Sequence, residues 1–290
     1  MIKMDKIALV TGCSSGIGLQ TAIDLAKNGY TTYASMRNLD KKDELEAEAL
    51  KANVKVNIIQ LDVSQDESVS KAIEQIKNEH KRIDILVNNA GYGLFGSIEG
   101  TSIEEFKEQV DTDFFGAVRT TKKILPIMRE QGEGFIINIS SVAGFMGFPI
   151  VPAYVCSKFA LEGFTECLRH ELYEKNSKKQ IHAVLIEPGV VGTKFYDNRI
   201  TAKNAKSVPK YANMLKGMEA AGEQLFEHAL GPEQVSEKIL RVLSEENPEP
   251  RYRVGNDSNQ YWKDKTSHTS IEFEKIIRTM LDQMTDPGEK

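Results

Sequence analysis

The chain has 290 residues, a hydrophobic fraction of 40% and a formal net charge of -5. This length suits one large domain, and the mild negative charge argues against nucleic acid or an anionic membrane surface as a partner. The apolar runs are too short to span a bilayer, the N-terminus lacks a signal-peptide core, and the three cysteines lack metal-ligand spacing. We therefore expect a cytoplasmic protein with reduced thiols, no membrane span and no metal site.

The first predicted strand, residues 7–10, runs into a glycine-rich turn and then a helix. Gly12, Gly16 and Gly18 leave backbone N–H groups open to a phosphate at the helix N-terminus, although a glycine-rich turn without a ligand is an alternative. The turn also satisfies G-x-S-x-G, the nucleophile elbow that would make Ser14 the nucleophile of a hydrolase. An elbow needs earlier strands to display its serine, and few residues precede this one, so we favour a dinucleotide turn.

The second predicted strand, residues 31–35, ends at Met36 and Arg37. Folds that bind NAD usually place an acid there for the ribose 2′-hydroxyl, whereas an arginine guanidinium fits a 2′-phosphate. We therefore expect NADP(H), with NAD(H) and a plain surface arginine as the alternatives. The third strand, residues 54–61, ends at Asp62, whose carboxylate is placed to accept a hydrogen bond from an adenine amino group.

The middle of the chain alternates short apolar strands with amphipathic helices. Its predicted elements are helices at 40–51, 67–80 and 103–128 and strands at 83–87 and 134–139. The next helix, residues 152–173, carries Tyr154 and Lys158 four positions apart, and therefore on one face. An ammonium near a phenol lowers the phenol pKa, so this spacing predicts a proton donor and acceptor at Tyr154 near neutral pH. Taken alone, the pair also fits a tyrosine packed on a lysine stem.

The last third of the chain is less regular after a sixth strand at 181–186. Residues 194–230 fit either a solvated insertion with one core-facing helix or a mobile lid over a hydrophobic substrate. Their helical stripe comprises Met214, Leu215, Met218, Ala221 and Leu225. A helix at 232–243 and a strand at 251–255 follow. An extension at 256–290 contains an amphipathic helix, whose apolar residues are Phe273, Ile276, Ile277, Met280, Leu281 and Met284.

This alternation predicts an α/β fold. We expect a single domain over residues 1–290, with a Rossmann-type, doubly wound parallel sheet of about seven strands and helices on both faces. Ligands then bind at the carboxyl ends of the strands, where the motifs lie.

In their order along the chain, these motifs resemble the short-chain dehydrogenase/reductase family over residues 6–193. The matching residues are Thr11, Gly12, Gly16, Ile17 and Gly18 in the turn, Asn88, Asn89, Ala90 and Gly91 after the fourth strand, Ser141, Tyr154 and Lys158, and Pro188, Gly189 and Thr193. The resemblance implies that Tyr154 exchanges the proton, that Ser141 orients the reacting oxygen and that Lys158 holds the nicotinamide ribose. The implied cofactor-binding residues are Gly12, Ser14, Ser15, Gly16, Ile17, Gly18, Arg37, Asp62, Val63, Asn89, Tyr154, Lys158, Val191 and Thr193.

One departure from the family lies in the helix at 103–128. The family usually has an asparagine at a kink in this helix, where its carbonyl holds a water in a proton relay to the lysine, and this chain has Asp113. We include Asp113 in the predicted catalytic set. If the backbone carbonyl does the work, the change is tolerable; if the side chain faces Lys158, a carboxylate weakens the pull of that lysine on Tyr154.

The resemblance implies an oxidoreductase that interconverts a hydrophobic alcohol and its ketone or aldehyde by hydride transfer with NADP(H). Members acting on steroids and retinoids look most similar. A homodimer or homotetramer is implied in the same way. An apolar wall at 143–151 is typical of a site for an uncharged organic substrate. The alternative from another class is a non-catalytic dinucleotide-binding regulator on the same fold.

Overall fold

The computed structural model describes residues 6–174, 180–226 and 229–285. Up to residue 139 the elements are β1 (Ile7–Val10), α1 (Gly16–Lys27), β2 (Thr31–Met36), α2 (Asp43–Lys51), β3 (Asn57–Gln60), α3 (Asp66–His80), β4 (Ile85–Asn88), β5 (Leu94–Phe95), α4 (Ile103–Val110), α5 (Gly116–Gln131) and β6 (Gly134–Ile139). The remaining elements are α6 (Pro152–Glu171), β7 (Ile181–Pro188), β8 (Ile200–Thr201), α7 (Pro209–Phe226), α8 (Pro232–Leu243), β9 (Arg251–Val254), α9 (Asn256–Ser267) and α10 (Ser270–Thr285).

The described strands form one seven-stranded sheet and one small two-stranded sheet. The large sheet has the order β3-β2-β1-β4-β6-β7-β9, and all of its pairs are parallel. The chain winds outward from β1 to β3 and then returns to β4, so the winding reverses between β1 and β4. This order confirms the predicted α/β fold and its strand number, and ligands in such sheets bind where the winding reverses.

Two apolar cores cover the two faces of the large sheet, because successive side chains on a strand point in opposite directions. Val10 and Val87 pack against residues of α1 and α8 on one face. Leu9 and Leu86 pack against residues of α3 and α5 on the other face. The strands are therefore buried on both sides, as a parallel sheet covered by helices requires.

The helix predicted over 103–128 is interrupted. α4 and α5 are joined by a π-helical turn at Asp111–Phe115, which turns the buried Asp113 side chain toward the carboxyl ends of the strands. A Cβ added at Gly116 would lie 2.8 Å from the Val63 Cβ. The start of α5 is therefore in close contact with the loop between β3 and α3. The apolar pattern of the sequence runs through this turn without a break, which is why it predicted one helix.

The region at 194–230 contains a strand and a helix. β8 pairs with β5 in a parallel two-residue ladder, and α7 packs on α10. Leu215 of α7 is buried in a third apolar cluster with Phe95, Ile150 and Ala202. The side chains of Ala221, Leu225 and Met284, which complete the predicted stripes, lie outside the described residues. Among the helices that are described, none has the length and apolar character needed to cross a bilayer.

Candidate active site

Tyr154 and Lys158 occupy the first two turns of α6. This helix begins at Pro152. Proline is favourable in a first turn, because an N–H group at that position would have no acceptor within the helix. Lys158 is buried, and its Nζ donates a hydrogen bond to the Ile139 carbonyl oxygen at 2.9 Å. The same Nζ lies 5.5 Å from the centre of the Tyr154 ring. The last residue of β6 thus anchors the ammonium beside the phenol.

Ser141 lies two residues after β6 and faces Tyr154. Its backbone is extended, and its Oγ accepts a hydrogen bond from the Ala143 N–H at 3.2 Å at the start of a short 3₁₀ turn. The Ser141 side chain also acts to lower the Tyr154 pKa, against the larger effect of burial, which places the hydroxyl beside the phenol. The structure therefore brings a hydroxyl, a phenol and an ammonium together at the carboxyl edge of the sheet.

The electrostatics of this group differ from the prediction. Burial raises the pKa of the Tyr154 phenol above its ordinary value, and the negative charge of Asp113 raises it further. Burial lowers the pKa of Lys158, against the opposing effect of Asp113 and Glu162. The expectation of a lowered Tyr154 pKa is therefore wrong for this structure, because desolvation and the charge of Asp113 raise it.

Asp113 lies against the same group from the π-helical turn. It is 3% exposed, and its Oδ1 accepts a hydrogen bond from the Tyr92 N–H at 3.2 Å. A Cβ at Gly91 would lie 3.0 Å from its Oδ2, so the carboxylate packs directly on the loop after β4. Burial raises the Asp113 pKa to about 7, while Lys158 acts to lower it. The Asp113 side chain and Lys158 therefore influence each other electrostatically, and the role of the Asp113 backbone carbonyl stays a prediction.

The glycine-rich turn between β1 and α1 packs tightly on the loop after β4. Gly12 has φ +73°, and a Cβ there would lie 2.7 Å from the Ala90 Cα. The Asn89 Nδ2 donates hydrogen bonds to the Thr11 and Gly12 carbonyl oxygens at 2.9 and 3.1 Å. A Cβ at Gly18 would lie 2.4 Å from that same Nδ2. These contacts fix the turn, and the Asn89 side chain holds the backbone of the turn in place.

The other predicted residues of the turn lie at the N-terminus of α1. Ser15 is the capping residue of α1 but makes no side-chain capping hydrogen bond, and Ser14, Gly16 and Ile17 are half-buried beside it. Thr193 covers the turn from the segment after β7, because a Cβ at Gly16 would lie 3.0 Å from the Thr193 Cβ. Backbone N–H groups at a helix N-terminus, with a hydroxyl opposite, suit an anionic ligand.

The predicted residues for the adenosine end lie at the ends of neighbouring strands. Arg37 follows β2 and is exposed, while Met36 before it is buried. The Asp62 Oδ1 accepts hydrogen bonds from the Ser64 N–H and hydroxyl at 3.0 and 2.7 Å, which orders the loop after β3. Val63, which follows Asp62 in this loop, is buried. Val191 pairs with Leu230 in an isolated parallel bridge that fixes the segment after β7.

Comparison with known proteins identifies the family. A family model described as short chain dehydrogenase matches residues 6–204. The chain belongs to the short-chain dehydrogenase family. It is therefore an oxidoreductase, which confirms the resemblance and the predicted enzyme class and disagrees with a non-catalytic regulator. The match also favours the dinucleotide turn over a nucleophile elbow at Ser14.

Several short-chain dehydrogenases are similar to this chain. Retinol dehydrogenase 8 of Homo sapiens is 38% identical over 258 residues, covering 86% of this chain and 81% of that protein. The 3-ketodihydrosphingosine reductase of Bacteroides thetaiotaomicron is 36% identical over 255 residues, covering 86% of this chain and 88% of that protein. The solved structure of the closed form of serine dehydrogenase complexed with NADP+ superposes with a TM-score of 0.71 at 29% identity, covering 86% of this chain and 94% of that one.

Sequence reasoning missed a buried ionic group beneath the Ser141 loop of this short-chain dehydrogenase. Glu162, one turn after Lys158 on α6, is a hydrogen-bond acceptor for the Ser140 hydroxyl and pairs with Arg251 of β9 at 3.1 Å. Glu187 of β7 is fully buried and pairs with Arg251 at 3.3 Å and with Arg253 at 3.2 Å. Glu162 could have been found from its four-residue spacing after Lys158. The arginines could not, since they come from a distant strand.

An apolar surface surrounds the Tyr154 ring. The Phe195 ring lies 5.5 Å from it, centre to centre, and Phe95 and Tyr196 pack edge to face nearby. In the predicted wall at 143–151, Phe145, Met146 and Ile150 are buried, and Ile150 belongs to the apolar cluster that includes Tyr154. Sequence reasoning did not anticipate that α9 supports this wall, through Trp262 on Phe145 at 5.3 Å and Tyr261 on Phe148 at 6.4 Å.

Proposed function

We propose that this short-chain dehydrogenase is an NADP(H)-dependent oxidoreductase that interconverts a hydrophobic alcohol and its ketone or aldehyde, with Tyr154 as the acid and base. One observation carries the proposal: the Tyr154 phenol lies beside the Ser141 side chain and has the Lys158 Nζ 5.5 Å from its ring centre. Two neighbouring hydroxyl groups can share one substrate oxygen, and a buried ammonium stabilises the anion that proton transfer leaves.

Each of the three side chains has a distinct task. In reduction, Tyr154 donates its proton to the oxygen on which negative charge develops; in oxidation, its phenolate takes the proton from the alcohol. Ser141 donates a hydrogen bond to the same oxygen and orients it. Lys158, fixed by the Ile139 carbonyl, holds the nicotinamide ribose and stabilises the phenolate. When bound, the nicotinamide supplies or accepts the hydride at the carbonyl carbon.

The residues of the turn fit a dinucleotide. Gly12 and Gly18 leave no room for a side chain against the loop after β4, and Ser15 leaves the N-terminus of α1 without a side-chain cap. The exposed Arg37 and the Ser15 hydroxyl are the residues that we assign to a ribose 2′-phosphate, which is the basis for preferring NADP(H) over NAD(H). The structurally similar serine dehydrogenase, complexed with NADP+, supports this cofactor class.

The substrate class follows from the surface around Tyr154. An apolar cluster with Leu94, Phe95 and Ile150 at its centre also includes Tyr154 itself, and it extends to Leu215 on α7. Relatives named for retinol and for 3-ketodihydrosphingosine support the same class. In this proposal, residues 194–230 cover the bound substrate. Assembly as a homodimer or homotetramer and a cytoplasmic location belong to the proposal as well.

A cofactor-oxidation screen tests the proposal. NADPH and NADH are each offered with hydrophobic ketones and aldehydes and with small hydrophilic carbonyls of the same reactivity, and absorbance of the reduced nicotinamide is followed. We expect NADPH consumption that depends on the carbonyl, with a higher kcat/KM for hydrophobic members. A preference for NADH would overturn the cofactor assignment, and equal turnover of hydrophilic carbonyls would overturn the substrate class.

A further inference from the structure

Asp113 is a buried carboxyl group with an incomplete set of hydrogen bonds. Its Oδ1 is occupied by the Tyr92 N–H, but its Oδ2, also buried, has no hydrogen-bond partner among the described residues. Buried polar atoms usually have partners, because leaving one without costs about 1–3 kcal/mol. A protonated Asp113 would carry its proton on an oxygen of this kind, whereas an ionised one requires a nearby cation.

The charged and titratable groups facing Asp113 come from two packed elements. From α6 it faces Lys158 and Tyr154, and its negative charge raises the pKa of both. From the loop after β4 it faces Tyr92, whose pKa rises to about 12 through burial and then the charge of Asp113. The neighbouring side chain on α4 is Gln109, which has no charge. Lys158 is therefore the cation whose charge acts on Asp113, and Asp113 acts in turn on the Tyr154 phenol.

We propose that Asp113 is a titrating positioning residue, and that its ionised form neutralises Lys158 and keeps the Tyr154 phenol protonated, which favours carbonyl reduction over alcohol oxidation. This inference rests on the proposed function for the role of Tyr154. The geometry that carries it is a buried carboxyl with one oxygen unpaired, on a π-helical turn that packs against α6, the helix of Tyr154 and Lys158.

The direction follows from the net charge beside the phenol. With Asp113 neutral, Lys158 leaves a positive charge there, and the phenolate is favoured. With Asp113 ionised, the two charges cancel and the phenol holds its proton to higher pH. Burial places the Asp113 pKa at about 7, so the change occurs near neutral pH. The carboxylate thus extends the alkaline range over which Tyr154 can act as an acid.

Infrared difference spectroscopy of the free protein tests the titration itself, without cofactor or substrate. Spectra are compared from about pH 5 to about pH 9, a range that brackets the expected ionisation. We expect a carboxylic-acid C=O band that disappears as the pH rises, is retained in Asp111→Asn and is missing in Asp113→Asn. Burial also raises the pKa values of Glu162 and Glu187, so only the band that Asp113→Asn removes is assigned. Identical spectra for wild type and Asp113→Asn overturn the proposal.

Asp111→Asn is a matched control, because Asp111 lies on the same π-helical turn but pairs with Arg119 near the surface at 2.6 Å. In kinetics, Asp113→Asn should move the alkaline limb of kcat/KM for carbonyl reduction down by about one pH unit, the size of effect that one neighbouring charge produces. Alcohol oxidation should rise up to about tenfold on the acid side. An alkaline limb that stays at the wild-type pH, or that moves to higher pH, overturns the proposal. Absence of any carbonyl turnover in wild type instead rejects the proposed function and leaves the infrared result standing.

Discussion

The Glu162 carboxylate accepts a hydrogen bond from Ser140, the residue directly before Ser141. Glu162 also lies four residues after Lys158, and its negative charge acts to raise the pKa of that lysine. One carboxylate therefore links the loop that carries Ser141 to α6, the helix that carries Lys158. Gly144 makes this possible, since a Cβ there would lie 2.5 Å from the Ser140 Oγ and 2.8 Å from the Glu162 Oε1.

Substitution of Glu162 tests this connection. Glu162→Ala leaves the buried Ser140 hydroxyl without its partner, at about 1–3 kcal/mol, and removes one of the carboxylates that pair with Arg251, so it should lower both the melting temperature and kcat. Glu162→Gln keeps an acceptor for Ser140 and should recover most of kcat. Glu166→Gln is the control, because Glu166 pairs with the same Arg251 from an exposed position. Equal kcat in Glu162→Ala and Glu166→Gln would show that the contact does not position the loop.

Tyr154→Phe tests the acid and base. The substitution removes one hydroxyl oxygen and leaves the ring on Phe195, so we expect the fold and NADPH binding to persist. Turnover should fall by about 10²–10⁴-fold, the range for loss of a general acid. Tyr173→Phe, at an exposed tyrosine beyond the end of α6, should have no effect. Fluorescence titration with NADPH separates lost binding from lost chemistry, and near-normal turnover in Tyr154→Phe would reject the assigned role.

Arg37→Ala tests the cofactor preference. An exposed guanidinium that binds a 2′-phosphate contributes charged hydrogen bonds, so kcat/KM for NADPH should fall by about 10- to 100-fold while that for NADH stays nearly constant. Arg241→Ala removes another exposed arginine, on α8 and distant in the chain from the nucleotide turn, and controls for net charge. If Arg37→Ala lowers kcat/KM for NADPH and for NADH equally, Arg37 supports the fold and does not select the 2′-phosphate.

The pH dependence of stability gives a separate test of Asp113. The folded-state pKa of about 7 lies above the ordinary value of 3.8, so the folded state binds more protons than the unfolded state between these two values. The contribution of Asp113 to stability therefore falls as the pH rises from about 4 to about 7, by up to roughly 4 kcal/mol, and is constant above that range. Urea unfolding of Asp113→Asn should lack this contribution and keep the part that comes from Glu162 and Glu187, whose pKa values burial also raises. A constant offset between the two proteins over the whole range would contradict a raised pKa.

The sequence predicted the large sheet well because its strands are short apolar runs separated by helices of regular period. The strand at 134–139 and the helix at 232–243 have the predicted bounds. The π-helical turn was missed because an extra residue in a helical turn leaves no compositional signal. α9 was missed because its sequence is mostly polar. Its contacts with the apolar wall come from two aromatic residues, Tyr261 and Trp262, which pack on a loop that is distant in the chain.

The same distinction applies to the candidate site. Residues fixed by local spacing, such as Tyr154 and Lys158, could be named in advance. The sign of the Tyr154 pKa shift could not, because it depends on burial and on a carboxylate about forty residues away in the chain. The partners of Glu162 likewise come from β9, which only the folded sheet brings beside α6.

Trp262 provides the last prediction, for the contact between α9 and the apolar wall. Its ring packs edge to face on Phe145 at 5.3 Å, and the Arg253 guanidinium lies 4.6 Å from its centre. Lys265, one turn further along α9, donates a hydrogen bond to the Phe145 carbonyl oxygen. Removing the indole leaves a cavity beside Phe145, so the wall should loosen while the dinucleotide turn, which lies on other elements, is unaffected.

We expect Trp262→Ala to raise KM for hydrophobic carbonyls by about tenfold, the equivalent of about 1.4 kcal/mol, with little change in the Kd for NADPH. Trp262→Phe keeps an aromatic edge on Phe145 and is the matched control, which should retain most of the wild-type KM. Steady-state kinetics with varied carbonyl, and fluorescence titration with NADPH, give the two constants. If Trp262→Ala raises the Kd for NADPH and the KM for the carbonyl equally, the fold has loosened generally. If the KM is unchanged, α9 does not shape the substrate side of the site.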